Sequence, residues 1–242
     1  MSDIKEFYES DASKYDEKRF RSDYGLFTDR VQQYLLLTYL RKLKNNSKIL
    51  EVGCGTGRFS LTISNEGYHL TSLDVAENML YTLKKKMGKN KDAIDLINAN
   101  ADRLPFSDGK FDACISINVF SHLEHPSLVL AEISRVLKKN GSVLINIPNL
   151  FSPYFLVGTY VNIKNKSIQE NVFTRWYNPK EFLKIIEDNN LMLKKVNGHL
   201  ITTRDYFPLI NKLIIYSNKF FLDSYFKKIA GSLYFELEKK SF

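Results

Sequence analysis

The stretch ILEVGCGTGRF (residues 49–59) decides the fold of this 242-residue chain. A short apolar run leads into three glycines at alternate positions, the first of which is Gly53. Glycine lacks a Cβ, so such a loop can turn sharply and bring its backbone close to a ligand. A helix beginning directly behind the loop directs unpaired N–H groups at that ligand. The stretch therefore predicts a strand, a ligand-binding loop and a helix in succession.

The spacing of the glycines indicates which of two kinds of cofactor the loop would bind. The dinucleotide fingerprint is G-x-G-x-x-G/A, and its last small residue lets helix and strand pack closely. Counted from Gly53, that position holds Arg58, whose long side chain fits it badly. The pattern present is E-x-G-x-G-x-G, starting at Glu51. It resembles the first motif of the class I S-adenosylmethionine (SAM)-dependent methyltransferases and disfavours a nicotinamide-dependent oxidoreductase.

Short apolar segments alternate with helical segments along the first two thirds of the chain. Strands are predicted at residues 48–52, 68–73, 93–99, 111–117 and 142–147, with helices at 57–65, 76–87 and 128–137. Two last strands are predicted at 191–196 and 231–238. This alternation indicates βαβ units and an α/β fold with a parallel sheet buried on both faces.

We expect a single domain, because the sequence has no internal repeat or flexible linker. The resemblance implies a Rossmann-like, seven-stranded, mostly parallel sheet with helices on both faces and an antiparallel last strand. It also implies a division of residues 1–242 into an N-terminal helical lid (1–46), a SAM-binding core (47–148) and a region with an acceptor-side insert and the C-terminal strands (149–242). Phe7, Tyr8 and Tyr15 lie in the predicted lid.

Composition is that of a soluble globular protein, with 44% apolar and 26% charged residues. The polar N-terminus lacks the apolar stretch of a signal peptide, and the two cysteines suggest neither a disulfide framework nor a metal site. We therefore expect a cytoplasmic protein. The net charge of +8 arises mainly in residues 151–242, which carry 14 Lys/Arg and 8 Asp/Glu. Residues 207–228 are either a basic amphipathic surface for peripheral membrane contact or a helix packed on the domain.

An acidic residue about 20 positions beyond a glycine loop can accept hydrogen bonds from both ribose hydroxyls. Asp74 fits that position, although it could also serve as a helix N-cap. The resemblance suggests that Met79 packs on adenine, whereas a core role would explain it equally well. The predicted cofactor-binding residues are Glu51, Gly53, Cys54, Gly55, Gly57, Asp74, Val75, Met79, Asn100, Ala101 and Asn118.

Residues 100–112 resemble the stretch D-A-x-x-L-P-F-x-x-x-x-F-D of the ubiquinone/menaquinone-type branch of the methyltransferases. In that branch the aspartate accepts a hydrogen bond from the adenine amino group. Asn100 stands at the matching position, and its amide oxygen can still accept such a bond. Asp102 is the alternative acceptor.

His122 is the one candidate for proton transfer, because imidazole titrates near neutral pH. A purely local hydrogen bond is the alternative role of this histidine. Candidate acceptor contacts, chosen from the regions that shape the acceptor pocket in the family, are Tyr15, Arg175, Trp176 and Tyr177. No metal is expected at His122 and His125, since their spacing is not that of H-E-x-x-H.

These observations predict a SAM-dependent methyltransferase acting by direct displacement on a small or lipid-linked acceptor, methylated on oxygen. The alternative is a non-catalytic protein of the same fold that binds SAM or a partner. We do not expect a nucleic-acid substrate, because residues 117–120 read I-N-V-F and not the N/D-P-P-Y/F of enzymes acting on base amino groups.

Overall fold

A computed structural model of the chain describes residues 2–88, 94–153, 155, 174–199 and 228–241. Seven strands form one sheet: β1 (Lys48–Val52), β2 (His69–Asp74), β3 (Ile94–Asn98), β4 (Phe111–Ser116), β5 (Leu137–Pro148), β6 (Leu191–His199) and β7 (Ser232–Lys239). The helices are α1 (Ser2–Asp11), α2 (Tyr15–Phe20), α3 (Asp23–Leu40), α4 (Arg58–Asn65), α5 (Glu77–Met87), α6 (Pro126–Val136) and α7 (Pro179–Asp188). A short 3-10 helix covers Phe120–His122.

The order of the strands across the sheet is β3-β2-β1-β4-β5-β7-β6. The pairs among β1 to β5 are parallel, whereas β7 runs antiparallel to both β5 and β6. The predicted α/β class, the seven strands and the antiparallel last strand are thus confirmed. Parallel strands place their carboxyl ends on one edge, so the segments following β1, β2 and β4 meet there.

Both faces of the sheet are buried, as the apolar strands predict. On one face, Leu36, Leu40 and Ile63 belong to a cluster that joins α3, α4 and α5 to the sheet. On the other, Ile133 and Phe182 belong to a cluster that joins α6 and α7 to it. Fully apolar strands suit this arrangement because neither of their faces meets water.

The fifth strand begins at Leu137, five residues before the predicted start, and α6 ends one residue early at Val136. Phe111 pairs with Leu137, but Ala113 pairs with Ser142, so the β5 strand contains a bulge between these two pairs. The bulge is held at Asp112, whose carboxylate accepts hydrogen bonds from the Lys138 Nζ (2.6 Å) and the Lys48 N–H (2.9 Å). Hydrophobic periodicity could not predict this bulge, because it does not record hydrogen bonds made by a side chain.

The predicted N-terminal helical region consists of three helices. The third, α3, begins after Ser22, whose Oγ accepts a hydrogen bond from the Gly25 N–H. It packs on the sheet, whereas α1 contacts α5 and α2 contacts α3. The segment 207–227, considered above for membrane contact, lies outside the described residues. In the part of the chain that the structure covers, no helix is long and apolar enough to cross a membrane.

Glu51 is a buried carboxyl near the end of β1, with 2% of its surface exposed. The hydroxyls of Ser60 and Ser72 both donate to its Oε2, at 2.5 and 2.9 Å. Burial raises the pKa of Glu51 from its ordinary value of 4.5 to about 7, and the nearby Asp74 carboxylate adds to the rise. Folding therefore favours the protonated form of this carboxyl.

This burial predicts a pH-dependent effect of Glu51→Gln on stability. The contribution of a carboxyl with a raised pKa is fully present below pH 4.5 and is lost as the pH rises through about 7. Between pH 5 and pH 8, the unfolding free energy of Glu51→Gln should therefore rise relative to wild type by roughly 2–3 kcal/mol. Urea unfolding at both pH values and constant ionic strength measures this difference. A difference independent of pH would contradict the prediction.

Candidate functional site

The glycine loop wraps over the end of β2. The N–H groups of Gly53 and Cys54 both donate to the Leu73 carbonyl, at 2.7 and 3.1 Å. Gly53 has a φ of +74°, and a Cβ there would lie 2.2 Å from the Val119 side chain. Gly55 also has a positive φ, of +54°, but a Cβ there would meet nothing within 4 Å. Packing thus requires the first glycine, while Gly55 faces open space.

Arg58, the residue that excluded the dinucleotide fingerprint, is bound to α3. Its guanidinium donates to Asp29 Oδ1 (2.6 Å) and to Gln32 Oε1 (2.5 Å), and it lies over the rings of Phe20 and Phe59. A small residue at this position would lose all of these contacts. Arg58 therefore joins the start of α4 to the N-terminal helices.

The Asp74 carboxylate connects the glycine loop to β2. Its Oδ2 accepts the Gly55 N–H (2.8 Å) and its Oδ1 accepts the Ala76 N–H (2.9 Å). Burial raises the pKa of Asp74, while these backbone bonds oppose the rise. A carboxylate has about four acceptor positions, so these backbone bonds still leave room for a bond from a ligand. Asp74 is not the N-cap of α5, since that position belongs to Ala76.

A single pocket at the carboxyl edge of the sheet brings most of the predicted site together. Its wall contains the following predicted cofactor residues: Gly53, Cys54, Gly55, Asp74, Val75, Met79, Asn100, Ala101 and Asn118. Tyr15 and His122, predicted for the acceptor side, line the same pocket together with Ile4 and Tyr8 of α1. Glu51 and Gly57 lie behind the loop and do not line it. Their roles towards a cofactor stay predictions.

Met79 serves the core and the pocket at once. It is buried against Ala12 and Ala76, and Tyr8 and Tyr15 pack on the same small cluster. Asn100 is a pocket residue, while Asp102, the alternative acceptor, does not line the pocket. The geometry therefore favours Asn100 for a contact with adenine.

Asn118 follows β4 with a φ of +64°, a conformation that asparagine tolerates better than most residues. Its backbone N–H donates to the Asn146 Oδ1 (2.6 Å), and its own Oδ1 accepts from Gln32 and Asn146, both at 3.2 Å. Neither Gln32 nor Asn146 was predicted for the site. Asn146 could have been predicted, because it is a polar residue at the end of an otherwise apolar strand.

The first two helices are joined to the core by carboxylates. Glu9 accepts the Glu77 and Asn78 N–H groups at the start of α5, at 2.8 and 2.7 Å. Asp16 accepts the Thr56 hydroxyl of the glycine loop at 2.6 Å and also pairs with Lys86. The contacts of both carboxylates were not predicted from the sequence, since each joins residues that are far apart in the chain.

His122 ends the 3-10 helix that follows β4. The hydroxyl of Tyr8 lies 2.9 Å from its Nε2, and the two rings meet edge to face with centroids 5.6 Å apart. Both side chains line the pocket. The predicted proton-transfer residue thus faces the pocket and has a phenol as a hydrogen-bond partner.

The remaining acceptor candidates lie beside the His122 loop and not in the pocket wall. Arg175 donates from its backbone N–H to the Ser121 carbonyl (2.7 Å), and Trp176 packs edge-on against Phe155. Tyr177 is 6% exposed and donates its hydroxyl to the Phe120 carbonyl (2.7 Å). Together these contacts attach the segment before α7 to the loop that holds His122. Their roles as acceptor contacts stay predictions.

Metal-ligating groups do not cluster in the described residues: none of these residues forms a group of three or more His, Cys, Asp or Glu side chains that could hold an ion. Cys54 and Cys114 are both buried and free. Burial raises the pKa of each thiol, which disfavours a reactive thiolate.

Residues 50–145 match the family described as Methyltransferase domain. The chain is 27% identical to an uncharacterised protein of Methanocaldococcus jannaschii, over 98% of this chain and 90% of that protein. It is 31% identical to the ubiquinone biosynthesis O-methyltransferase of Pelagibacter ubique, in a match that covers 63% of this chain and 65% of that enzyme. The chain thus spans just under two thirds of that enzyme's length.

Among solved structures, a SAM-dependent methyltransferase from Thermotoga maritima has the same fold. The TM-score is 0.67 at 19% identity, and the superposition covers 98% of this chain and 100% of that chain. The glycine loop, the acid after β2 and the sheet agree with the family match. Residues 50–145 thus carry the sequence of a methyltransferase domain, the chain has the fold of a SAM-dependent methyltransferase, and both indicate SAM as the methyl donor.

Proposed function

We propose that this enzyme methylates an oxygen atom of a small or lipid-linked acceptor by direct displacement. The observation that carries the proposal is the composition of the pocket. Its wall includes both the glycine loop with Asp74 and the Tyr8–His122 pair. The residues proposed for the cofactor and the candidate proton acceptor thus line one cavity. The similarity to a ubiquinone biosynthesis O-methyltransferase supports oxygen as the methylated atom.

The pocket fits SAM on two observations. Gly55 faces open space, so its backbone leaves room for a ligand, and the Asp74 carboxylate lines the pocket with acceptor capacity beyond its backbone bonds. We assign Asp74 to the ribose hydroxyls, Met79 and Asn100 to the adenine, and the glycine loop and Asn118 to the amino-acid end. Bound SAM supplies a methyl group on a sulfonium cation.

Orientation is the main task of the protein in such a displacement. Holding two reactants in line supplies about 7–11 kcal/mol of the barrier reduction. A hydroxyl acceptor must also lose its proton, and a histidine titrates in the range needed to take it. We assign this role to His122, which lines the pocket from the loop after β4.

The N-terminal helices act as a lid over the pocket in this proposal. Ile4, Tyr8 and Tyr15 supply its outer wall, and Glu9 and Asp16 attach the helices to α5 and the glycine loop. Since these attachments are hydrogen bonds and ion pairs at the surface, they can open and close at a modest cost in free energy.

Gly55→Arg and Gly67→Arg form a matched pair that tests the cofactor site. Both glycines have a positive φ and no atom within 4 Å of a Cβ, but only Gly55 lines the pocket. Each substitution should cost about 1–2 kcal/mol of stability through backbone strain. Only Gly55→Arg should weaken binding of S-adenosylhomocysteine, by at least 10-fold in calorimetric titration. Equal affinity in both variants would contradict the loop assignment.

His122→Gln tests the proposed proton acceptor. Loss of a general base lowers the rate of methyl transfer by about 10²–10⁴-fold. The rate is measured as transfer of radiolabel from methyl-labelled SAM to the small-molecule and lipid fractions of a cell extract. Affinity for S-adenosylhomocysteine should stay within about threefold. A variant with unchanged transfer would show that His122 only hydrogen-bonds locally.

Glu9→Gln tests the lid. A neutral amide side chain interacts less favourably than a carboxylate with the start of α5. S-adenosylhomocysteine should therefore dissociate several-fold faster, which stopped-flow fluorescence measures. Glu6→Gln on the same helix is the control, since Glu6 is exposed. Equal dissociation rates in the two variants would argue against a lid held by Glu9.

A further inference from the structure

Tyr8 and His122 are 114 residues apart in the chain, yet their polar atoms are in hydrogen-bonding contact inside the pocket. The phenol belongs to α1 and the imidazole to the loop after β4. The edge-to-face packing of the two rings fixes their relative orientation. The contact therefore joins the N-terminal helices to the only pocket residue proposed to take a proton.

The direction of the hydrogen bond follows from the surroundings of the phenol. Burial raises the pKa of Tyr8, so its oxygen keeps its hydrogen. Among the described residues, His122 Nε2 is the one hydrogen-bond partner of that hydroxyl. A donor shielded from water costs about 1–3 kcal/mol when it lacks an acceptor. This favours donation from the hydroxyl to Nε2 of a neutral imidazole that carries its hydrogen on Nδ1.

The position of Tyr8 is fixed by its own helix. The next residue, Glu9, binds the start of α5, and the Tyr8 ring packs against Phe7 and Tyr15 with centroid distances of 5.2 and 6.1 Å. With its hydrogen directed at His122, the Tyr8 oxygen still has lone pairs available to a second donor. An acceptor hydroxyl in the pocket is a donor of that kind.

We propose that Tyr8 is a catalytic residue that passes the proton of the acceptor hydroxyl to His122. This inference rests on the proposed oxygen methylation and adds to it the residue that contacts the acceptor. The pair would act as one proton-accepting unit, with the phenol in contact with the acceptor and the imidazole behind it.

As the acceptor oxygen bonds to the methyl carbon, the bond from that carbon to the sulfonium sulfur breaks and its electron pair stays on the sulfur. In the same step the acceptor oxygen gives its hydrogen to the Tyr8 oxygen, so the methylated product is neutral. Tyr8 gives its original hydrogen to His122 Nε2 and is again a neutral phenol. The imidazole becomes an imidazolium, which later releases the proton to water. The net change is one proton moved from the acceptor to His122.

Tyr8→Phe and Tyr15→Phe form the matched pair for testing this proposal. Both tyrosines lie in the N-terminal helices and line the pocket, and only the Tyr8 hydroxyl bonds to His122. Each substitution removes one hydroxyl and keeps the ring. A general effect of losing a phenol from the lid would therefore appear in both variants.

The first readout is the nitrogen NMR spectrum of the His122 side chain in protein saturated with S-adenosylhomocysteine. Wild type should show hydrogen on Nδ1 and a hydrogen-bonded Nε2. In Tyr8→Phe the Nε2 resonance should move downfield towards that of an unbonded acceptor nitrogen, and in Tyr15→Phe it should not move. A hydrogen on Nε2 in wild type, or no shift in Tyr8→Phe, would overturn the relay.

The second readout is transfer from methyl-labelled SAM to the small-molecule and lipid fractions of a cell extract. Tyr8→Phe should lose at least about 10²-fold in rate. Tyr68→Phe is the control for activity, because its hydroxyl donates to the Leu40 carbonyl (2.7 Å) outside the pocket wall, and its rate should stay within about threefold of wild type. The double variant Tyr8→Phe/His122→Gln should fall no further than His122→Gln alone, because both residues act on the same proton. Affinity for S-adenosylhomocysteine should stay within about threefold throughout.

The two proposals fail in different ways. Wild-type transfer with an unimpaired Tyr8→Phe variant would overturn the relay and leave the oxygen methylation standing. Absence of label in every fraction with wild-type protein would overturn the oxygen methylation and the relay that depends on it.

Discussion

The hydrogen bond from the Gly55 N–H to the Asp74 carboxylate is the contact on which the site depends. It fixes the loop after β1 against the end of β2, and the two N–H groups bound to the Leu73 carbonyl complete the attachment. Because the strands are parallel, these two ends lie side by side on one edge of the sheet. The same carboxylate lines the pocket, so one side chain both holds the loop in place and forms part of the pocket wall.

The charges beneath the loop suit a cationic cofactor. Glu51 and Asp74 are buried close to each other, and burial raises the pKa of both. The Arg58 guanidinium, which acts on Glu51, is already paired with Asp29. SAM carries a sulfonium and an ammonium group, so in the proposed complex it would add positive charge near these two acidic side chains. That charge would offset the unfavourable burial of the two carboxyls in the free protein.

The sequence predicted those parts of the molecule whose causes are local. Apolar runs predicted the strands, and the glycine spacing predicted the loop. Both kinds of element depend on the backbone conformation of a few neighbouring residues. The bulge in β5 depends on Asp112 binding Lys48 and Lys138, which periodicity does not record. In the same way Glu9 and Gln32 reach the site only through tertiary contacts, and no local pattern distinguishes them from ordinary helix residues.

This division between local and distant causes also explains why the cofactor is easier to identify than the acceptor. The family match covers residues 50–145, which include the glycine loop, Asp74 and His122. Tyr8 lies outside this range, although it lines the pocket beside His122. The residues proposed to hold SAM therefore lie in the matched core, while Ile4, Tyr8 and Tyr15 of the pocket wall belong to N-terminal helices attached to that core through side chains. In the proposed enzyme, substitutions in those helices would change the acceptor without disturbing the sheet, because the strands and the glycine loop are held by backbone hydrogen bonds of their own.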